Sequence, residues 1–410
     1  MNAPDEIIRR EIAERGVLSF ARFMELALYC PNSGYYETKK DSPGRRGDFY
    51  TSVSAGELFG QLLAFQFAGW LEELLLSPVT CHSSPCLIEA GAHDGQLAKD
   101  ILSWLQSARP KLFGQIQYGI IEPSAVRREW QGETLKDFAP RVRWIDSLQA
   151  ICPLTPNSEL RTPDFSGIIF SNELLDAMPV HRLGWDAKNK QWFEWGVAVE
   201  GEKFVWARYS DPLAPQGGER AGARGAFANP PSSIFHLLAR RSEAATASSS
   251  LLDVLPDGYT IETCPAAENW WREAANILKC GRLLTIDYGL TNDELLSPGR
   301  TRGTLRAYFR HHATDDLLAN VGEQDLTAHV NFSAIQSVGE ACGLKTKTFS
   351  TQAQFLTKIV ERIFKNPESF GEWGAKQTRQ FQTLSHPEHL GRAFRVLVQS
   401  KPGAPYRLNS

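Results

Sequence analysis

The chain has 410 residues, of which 42% are hydrophobic and 22% charged, and its formal net charge at pH 7 is -3. This length exceeds one ordinary hydrophobic core, so we expect a main domain with an insertion or a flanking subdomain. The small negative charge excludes a general attraction to nucleic acid or to anionic lipid, and no apolar run is long enough to span a bilayer. We therefore expect no nucleic-acid partner and no membrane partner.

The cysteines and the N-terminal residues indicate in which cellular compartment the protein is expected. Seven cysteines, an odd number spread along the chain, disfavour a disulfide framework and favour a reducing compartment. The first residues include several acids and no apolar segment, which argues against a secretory signal or a mitochondrial presequence. We expect a cytoplasmic protein. The cysteines around His82 and the histidines at 311–312 lack zinc-ligand spacing, so no metal site is predicted.

Two helical regions flank a polar loop near the N-terminus. Residues 7–28 have apolar residues at helical spacing on both sides of Gly16, which predicts two short amphipathic helices with Ser19 as the second N-cap. Residues 55–76 predict one long helix with a mostly buried face. Between them, the glycine-bearing loop 43–52 is either a plain surface loop or a lid over a binding site.

A glycine turn follows the first apolar strand. Residues 87–90 suit a buried strand and a helical segment starts at Gln96, so two glycines fall in a strand-to-helix turn. Such a turn lets a ligand approach the backbone without an intervening side chain. An acid followed by these glycines has the order of the first motif of S-adenosylmethionine (SAM) methyltransferases, whereas the nicotinamide and P-loop patterns are absent. The candidate cofactor-binding residues of this motif are Glu89, Gly91, Ala92, His93 and Gly95.

A second apolar strand ends on an acid. Residues 118–121 precede Glu122, and this spacing from the glycine turn suits the end of the next parallel strand. A carboxylate there can accept both ribose hydroxyls of an adenosine. The alternative is that Glu122 belongs to the start of a helix before Ser124. Residues 142–145 fit a third strand.

The fourth predicted strand leads into a polar junction. Residues 167–170 are apolar and are followed by Asn172, Glu173 and Asp176. Because polar groups at the carboxyl end of a central strand in a doubly wound sheet face the ligand crevice, we expect these side chains beside the cofactor. A helix-capping role for Asn172 is the alternative, and the two roles can coexist.

The second half of the chain continues the pattern after an interruption. Residues 192–207 predict an inserted β-hairpin, and residues 210–250 predict a variable insertion without catalytic groups. An amphipathic helix that ends at Gly281 and a fifth strand at 282–286 follow. The apolar run 394–398 can supply closing antiparallel strands of the same sheet.

This alternation predicts an α/β fold. We expect a class I SAM-methyltransferase architecture, that is, a Rossmann-like doubly wound sheet with an N-terminal helical region and an inserted subdomain. Four segments are predicted in chain order: N-terminal helices with the lid loop, the first part of the core, the inserted hairpin with the variable segment, and the second part of the core with C-terminal substrate-side elements. Their boundaries are 1–80, 81–182, 183–257 and 258–410.

Several sequence blocks coincide with one family. They include the glycine turn and the blocks at 34–36, 47–52, 58–60, 121–124, 171–180, 287–289, 303–305 and 325–330. The chain resembles the MidA-like SAM-dependent methyltransferases, the bacterial relatives of the mitochondrial complex I assembly arginine methyltransferase. The family usually has proline and glycine where this chain has Ala92 and His93. If the second position needs a positive φ, histidine costs something like 1 kcal/mol there.

The resemblance implies a bacterial, SAM-dependent enzyme that methylates a protein arginine, symmetrically in the mitochondrial relatives. Carboxylates can grip a guanidinium bidentately and orient one nitrogen. We assign this grip to Glu173, with Asp176 or Glu194 as the second carboxylate. His329 either assists proton removal or is a structural histidine. The other cofactor-binding residues that we predict are Asp48, Ser52, Glu122 and Asn172.

Other functional classes compete with this interpretation. One is a non-catalytic assembly or chaperone-like protein that keeps the methyltransferase fold as a binding platform, with His93 as its marker. Another is an enzyme acting on a small molecule or nucleic acid, which the net charge and the lack of an Asn-Pro-Pro-aromatic motif after the fourth strand disfavour. A homodimer is compatible with the sequence.

Overall fold

The computed structural model describes residues 2–38, 51–76, 86–154, 165–209, 255–297, 299–310, 312–388 and 390–401. Asp48, most of the predicted lid loop and the predicted variable insertion lie outside these ranges. No helix within them is both long and apolar enough to cross a bilayer. They also contain no group of three or more His, Cys, Asp or Glu side chains arranged to hold a metal ion.

The two helices predicted on either side of Gly16 are present, and the second has its predicted N-cap. Ser19 accepts a hydrogen bond from the backbone N–H of Arg22 and caps the second helix, and Gly16 with φ +81° ends the first, as predicted. The α-helices are α1 Ala3–Arg15, α2 Phe20–Tyr29, α3 Tyr35–Thr38, α4 Leu58–Leu76, α5 Gln96–Ala108, α6 Pro110–Gln115, α7 Ala125–Thr134, α8 Pro265–Ile277, α9 Asn292–Leu295, α10 Phe332–Ala341, α11 Gln352–Lys365, α12 Ala375–Ser385 and α13 Leu390–Ala393. Short 3-10 turns cover Val53–Ala55, Lys136–Phe138, Leu148–Leu154 and Pro367–Ser369.

The strands coincide in most places with the predicted apolar runs. They are β1 Leu18–Ser19, β2 Cys86–Ala90, β3 Gln117–Ile121, β4 Val142–Ile145, β5 Phe165–Asn172, β6 His181–Asp186, β7 Gln191–Glu200, β8 Lys203–Tyr209, β9 Thr260–Thr263, β10 Leu278–Leu290, β11 Arg306–Phe309, β12 His312–Thr314, β13 Asp325–Thr327, β14 Val330–Asn331, β15 Lys345–Thr351 and β16 Phe394–Lys401.

One compact unit, here the core unit, comprises Lys40–Leu175, Trp270–Gly289 and Ile335–Ser410. Its sheet has the strand order β15-β16-β10-β5-β2-β3-β4. The strands from β10 to β4 are parallel, whereas β16 runs antiparallel to β10 and β15 antiparallel to β16. The chain leaves β2 for β3 on one side and later returns to β5 on the other, so the switch point of the sheet lies between β2 and β5.

The core of this unit is apolar on both faces of the sheet. Every residue of β2 and β5 is buried, as expected for central parallel strands. Helix α4 buries most of its leucine and phenylalanine side chains, and the rings of Phe67 and Phe170 lie 4.9 Å apart. The predicted α/β fold with antiparallel closing strands is confirmed.

The second unit, here the hairpin unit, comprises Met1–Lys39, Asp176–Asn269 and Leu290–Ala334. Its main sheet has the order β1-β7-β6-β9 with β8 paired to β7, and a smaller sheet has the order β12-β11-β13. The predicted hairpin is present as β7 and β8, joined at a turn where Gly201 has φ +59°. The ring of Phe20 lies 5.0 Å from that of Trp206, so the N-terminal helices pack on this hairpin. The four predicted segments describe chain order, whereas packing groups the chain into these two units.

Three local predictions were wrong. The helix predicted over 55–76 begins only at Leu58, because Gly56 with φ +124° separates it from a 3-10 turn. The helix predicted to end at Gly281 ends at Ile277, and that glycine lies inside β10, where a Cβ would come 1.9 Å from the Gly167 carbonyl oxygen. No helix follows Asn172 within residues 173–180, so this side chain caps none there.

Candidate active site

The glycine turn lies directly after β2, beside the switch point of the core-unit sheet. Gly91 has φ +78° and Gly95 has φ +86°, both in the left-handed region that glycine tolerates best. The N–H of Gly95 donates to the Ala92 carbonyl at 2.7 Å and closes the turn before α5. A Cβ on Gly91 would come within 3.0 Å of a Leu174 side-chain carbon. Both glycines are therefore required by the backbone path.

His93 occupies a left-handed position with φ +46°, as the comparison with the family's glycine predicted. Its Nδ1 lies 3.9 Å from an Asp94 carboxylate oxygen. Its Nε2 is buried and has no hydrogen-bond partner among the described residues. The turn thus accommodates histidine, at the conformational cost that a left-handed side-chain residue carries.

Glu89 is buried inside the sheet below the turn. Its carboxylate accepts a hydrogen bond from the Tyr118 hydroxyl at 2.6 Å. Burial raises the pKa of Glu89 to about 7, against an opposing effect of that hydrogen bond. This carboxylate is therefore hydrogen-bonded to the neighbouring strand β3.

Glu122 follows β3, and its carboxylate accepts hydrogen bonds from side chains of α7. Its Oε1 accepts bonds from the Ser124 N–H at 2.9 Å and from Arg127 Nε at 3.0 Å, and Oε2 accepts one from Gln131 at 3.1 Å. The cap of α7 is Ser124, whose hydroxyl accepts the Arg127 N–H. Glu122 therefore is not the N-cap of this helix. A carboxylate oxygen has two lone pairs, so Oε2 keeps acceptor capacity beyond its bond to Gln131.

The second junction lies at the end of β5, adjacent to β2. Glu173 has φ +53°, and its N–H donates to the Ile286 carbonyl at 2.9 Å. Its Oε1 accepts bonds from Asn172 Nδ2 at 3.0 Å and from the Ser52 N–H at 3.4 Å. Asn172 Oδ1 is buried without a partner among the described residues. The core unit thus brings Ser52, Asn172 and Glu173 together.

Ser52 belongs to the end of the predicted lid loop. It is fully buried, and its hydroxyl donates to Gln352 Oε1 at 2.9 Å. Gln352 in turn donates to the Leu384 carbonyl at 3.0 Å. Helix α11 therefore fixes the backbone N–H that reaches Glu173.

Asp287 lies inside β10 and contacts the peptide groups after Glu173, and no role was assigned to it from the sequence. It is fully buried, its Oδ2 accepts the N–H groups of Leu174 and Leu175, and its Oδ1 accepts that of Tyr288. Burial and the charge of Glu173 raise the pKa of Asp287 to about 7, against the opposing backbone hydrogen bonds. The available signal was an acid directly after the fifth predicted strand.

Asp176 and His329 belong to the hairpin unit. The Asp176 carbonyl accepts the Ala328 N–H at 2.9 Å, and the His329 N–H donates to Thr304 Oγ1 at 3.1 Å. His329 Nδ1 is buried without a partner among the described residues. Burial, and secondarily Arg300, lower the pKa of His329 to about 4, so its ring is uncharged at neutral pH.

Glu194, the alternative second carboxylate, is a buried residue of β7. Its Oε1 lies 2.7 Å from His181 Nδ1, which is on the neighbouring strand β6. The hairpin unit therefore pairs this carboxylate with a histidine of its own sheet.

The sheet order of the core unit, its antiparallel closing pair and the glycine turn at the switch point define the class of SAM-dependent methyltransferases. The sequence pattern of a family of S-adenosyl-L-methionine-dependent methyltransferases matches residues 62–350. The chain belongs to this family, and the resemblance to MidA-like methyltransferases is confirmed.

Known relatives and solved structures agree with this family. The mouse and fruit-fly mitochondrial proteins named protein arginine methyltransferase NDUFAF7 and its homolog are each 26% identical to the chain. The mouse match covers 94% of this chain and 81% of the relative, and the fly match covers 82% and 70%. A Burkholderia thailandensis protein solved with bound S-adenosyl-homocysteine is 29% identical with a TM-score of 0.73, covering 97% of this chain and 93% of that one.

The residues of the core unit fit SAM, the cofactor of this class. Asn172 offers a buried amide oxygen without a partner among the described residues, and it ends the strand that pairs with the one before the glycine turn. SAM carries amino and hydroxyl donors that such an oxygen can accept. When bound, SAM supplies an electrophilic methyl group, and the chain's own residues bind it and orient the nucleophile.

Proposed function

We propose that the chain is a protein arginine N-methyltransferase that transfers the methyl group of SAM to a guanidinium nitrogen. As the resemblance implies for the mitochondrial relatives, the product is symmetric dimethylarginine. The mouse relative, which aligns with 94% of the chain, is named a protein arginine methyltransferase. The chain's partner is therefore a protein that presents an arginine side chain.

The observation that carries this proposal is the fixed carboxylate of Glu173. Its backbone has φ +53°, and hydrogen bonds from Asn172 and from the Ser52 N–H hold its Oε1. A guanidinium presents a planar fork of N–H donors, and a charge-assisted hydrogen bond to a carboxylate fixes the direction of that fork. A carboxylate held in one orientation at the switch point can thus orient one guanidinium nitrogen toward the methyl donor.

The reaction is an in-line displacement that depends mainly on positioning. The guanidinium nitrogen forms a bond to the methyl carbon, the bond from that carbon to sulfur breaks with its electron pair left on sulfur, and the nitrogen releases a proton to solvent water. We assign Glu173 to hold the guanidinium, and Asp176 remains the candidate second carboxylate. Glu194 is the weaker candidate, since its carboxylate already pairs with His181 at 2.7 Å.

His329 is assigned a role in proton removal. Its pKa is lowered to about 4, so the ring is uncharged at neutral pH and one ring nitrogen can accept a hydrogen bond from an N–H group. Such a low pKa makes it a weak base, so its contribution is to guide the proton rather than to retain it.

The test is methyl transfer from labelled SAM into a lysate of the host. We expect label in a protein and, after hydrolysis, in dimethylarginine. Glu173→Gln keeps the shape of the side chain and should lower transfer by about 100-fold or more while leaving SAM binding nearly unchanged. Glu200→Gln, at an exposed position of β7, is the matched control and should behave like the unmodified protein.

Two results would contradict the proposal. Transfer retained by Glu173→Gln on a verified substrate removes the assigned role of that carboxylate. Label found only in a small molecule or a nucleic acid removes the protein arginine as substrate.

A further inference from the structure

Gln131, on α7, makes three buried hydrogen bonds with its side-chain amide. It is fully buried, and its Nε2 donates to the His93 carbonyl at 2.9 Å and to Glu122 Oε2 at 3.1 Å. Its Oε1 accepts a bond from Trp144 Nε1 at 2.8 Å. Both N–H groups and the amide oxygen are thus engaged.

Two of these partners are candidate cofactor-binding residues, and each follows a different strand. His93 lies in the turn after β2, and Glu122 follows β3. A primary amide carries two N–H donors on one nitrogen, so it can bridge two acceptors. A carboxylate at the same position would face Glu122 as a like charge, and an apolar side chain would leave both acceptors without their donor.

Helix α7 also lies against the glycine turn. A Cβ on Gly95 would come within 3.4 Å of Gln131 Cα. One helical turn earlier, Arg127 bonds to the other oxygen of Glu122, at 3.0 Å from Nε and 2.9 Å from Nη2. The two oxygens of this carboxylate are therefore held by two side chains of the same helix.

We propose that Gln131 is a positioning residue for SAM, which fixes the carbonyl of the left-handed residue His93 and the carboxylate of Glu122 relative to each other. It acts through these two groups and does not touch the reacting atoms. The inference depends on the assignment of the glycine turn and Glu122 to the cofactor, and the experiment separates the two claims.

The test compares two buried glutamines of the core unit. Gln399 is fully buried on β16, its Nε2 donates to the Gln336 carbonyl and to Thr346 Oγ1, and its Oε1 accepts Trp271 Nε1. Gln131→Met and Gln399→Met therefore each delete two donated hydrogen bonds and one accepted one, and one acceptor is a carboxylate for Gln131 and a hydroxyl for Gln399. Only the first pair of acceptors belongs to the candidate cofactor site.

Calorimetric titration with S-adenosyl-homocysteine is the readout, at a temperature where circular dichroism shows each variant folded. We expect Gln131→Met to raise the Kd by about tenfold or more, as the loss of hydrogen bonds to a buried charge entails. Gln399→Met should lower thermal stability comparably with an unchanged Kd. If Gln131→Met does not fold, Gln131→Asn replaces it, because this side chain keeps an uncharged amide but is one methylene shorter and so cannot keep all three hydrogen bonds.

Equal Kd values for the Gln131 and Gln399 variants would overturn the proposal and leave Gln131 a structural residue. Asn172→Ala tests the underlying site, since its amide oxygen has no bond to Gln131. A raised Kd for Asn172→Ala with an unchanged Kd for Gln131→Met removes only the positioning role. Unchanged Kd values for both remove the site assignment, and with it the role of Gln131.

Discussion

The carboxylate of Asp287 accepts a hydrogen bond from the backbone N–H of Leu175 at 2.8 Å, although the two residues are 112 positions apart in the chain. The same oxygen accepts the N–H of Leu174 at 3.1 Å. These two peptide groups come directly after Glu173, whose φ of +53° turns the chain out of β5. A buried charge on β10 therefore holds the backbone that presents the candidate guanidinium-binding carboxylate.

Asp287→Asn should lower the rate of methyl transfer and also destabilise the folded protein. An amide has one acceptor oxygen in place of two, so one of the backbone N–H groups loses its partner. We expect the free energy of unfolding to fall by about 1–3 kcal/mol and kcat to fall by about tenfold or more. Urea denaturation and a methyl-transfer assay measure the two effects.

The control for Asp287→Asn is Asp186→Asn in the hairpin unit. Asp186 is also a buried carboxylate that accepts a backbone N–H, that of Asn189 at 3.0 Å. Its replacement should leave kcat unchanged. A loss of kcat equal to that of Asp287→Asn would mean that general destabilisation accounts for both.

Glu89 should make the protein less stable as the pH rises through neutrality. Burial raises its pKa from 4.5 to about 7, so the folded state binds more protons than the unfolded state between these values. The contribution of this group to the free energy of unfolding is fully present below about pH 4.5, and it is lost as the pH rises through about 7. Glu89→Gln still accepts the hydrogen bond from the Tyr118 hydroxyl but does not titrate. It should make the free energy of unfolding depend less steeply on pH, by at most about 1.4 kcal/mol per pH unit.

Urea denaturation at several pH values between about 5 and 8 measures this slope. Glu200→Gln, at an exposed position, should keep the slope of the unmodified protein. If Glu89→Gln and Glu200→Gln give the same slope, the buried carboxyl does not titrate in this window.

His93→Gly should stabilise the folded protein. Histidine at φ +46° carries a conformational cost that glycine avoids, partly offset by the greater freedom of glycine in the unfolded chain. We expect the free energy of unfolding to rise by up to about 1 kcal/mol. Ala92→Gly is the neighbouring control at a residue without positive φ, and it should lower stability. If the free energy of unfolding falls for both variants, the contacts of the histidine ring stabilise the protein by more than the left-handed backbone destabilises it.

Thr304→Val should destabilise the hairpin unit. The Thr304 hydroxyl donates to Glu262 at 3.2 Å and accepts the His329 N–H at 3.1 Å, and the residue is buried. Valine has the same shape without the oxygen, so a buried N–H loses its acceptor at a cost of about 1–3 kcal/mol. Thr314→Val, on β12, should change the free energy of unfolding by less than about 0.5 kcal/mol. Equal thermal denaturation midpoints for the two variants would contradict the network around His329.

Local sequence patterns were sufficient for most of the fold, and the cofactor and substrate roles of the site residues stay predictions. The third strand was predicted at its observed bounds, Val142–Ile145, and Ser19 was predicted as a cap, because both depend on side chains within a few residues. The left-handed backbone at His93 was raised only as a condition, from the glycine that the family usually has at this position. Gly281 was misread because a glycine that ends a helix and one that admits a neighbouring strand look alike in sequence.

The amino-acid sequence by itself thus determined the class of fold, the glycine turn and the acids at the strand ends, since short-range periodicity and turn chemistry specify them. Only the tertiary structure decided what those acids contact: Glu122 is held by Arg127 and Gln131, and Asp287 holds the peptide after Glu173. Such hydrogen bonds join distant parts of the chain once strands align in a common sheet, and no local pattern encodes which buried donor will face which acceptor.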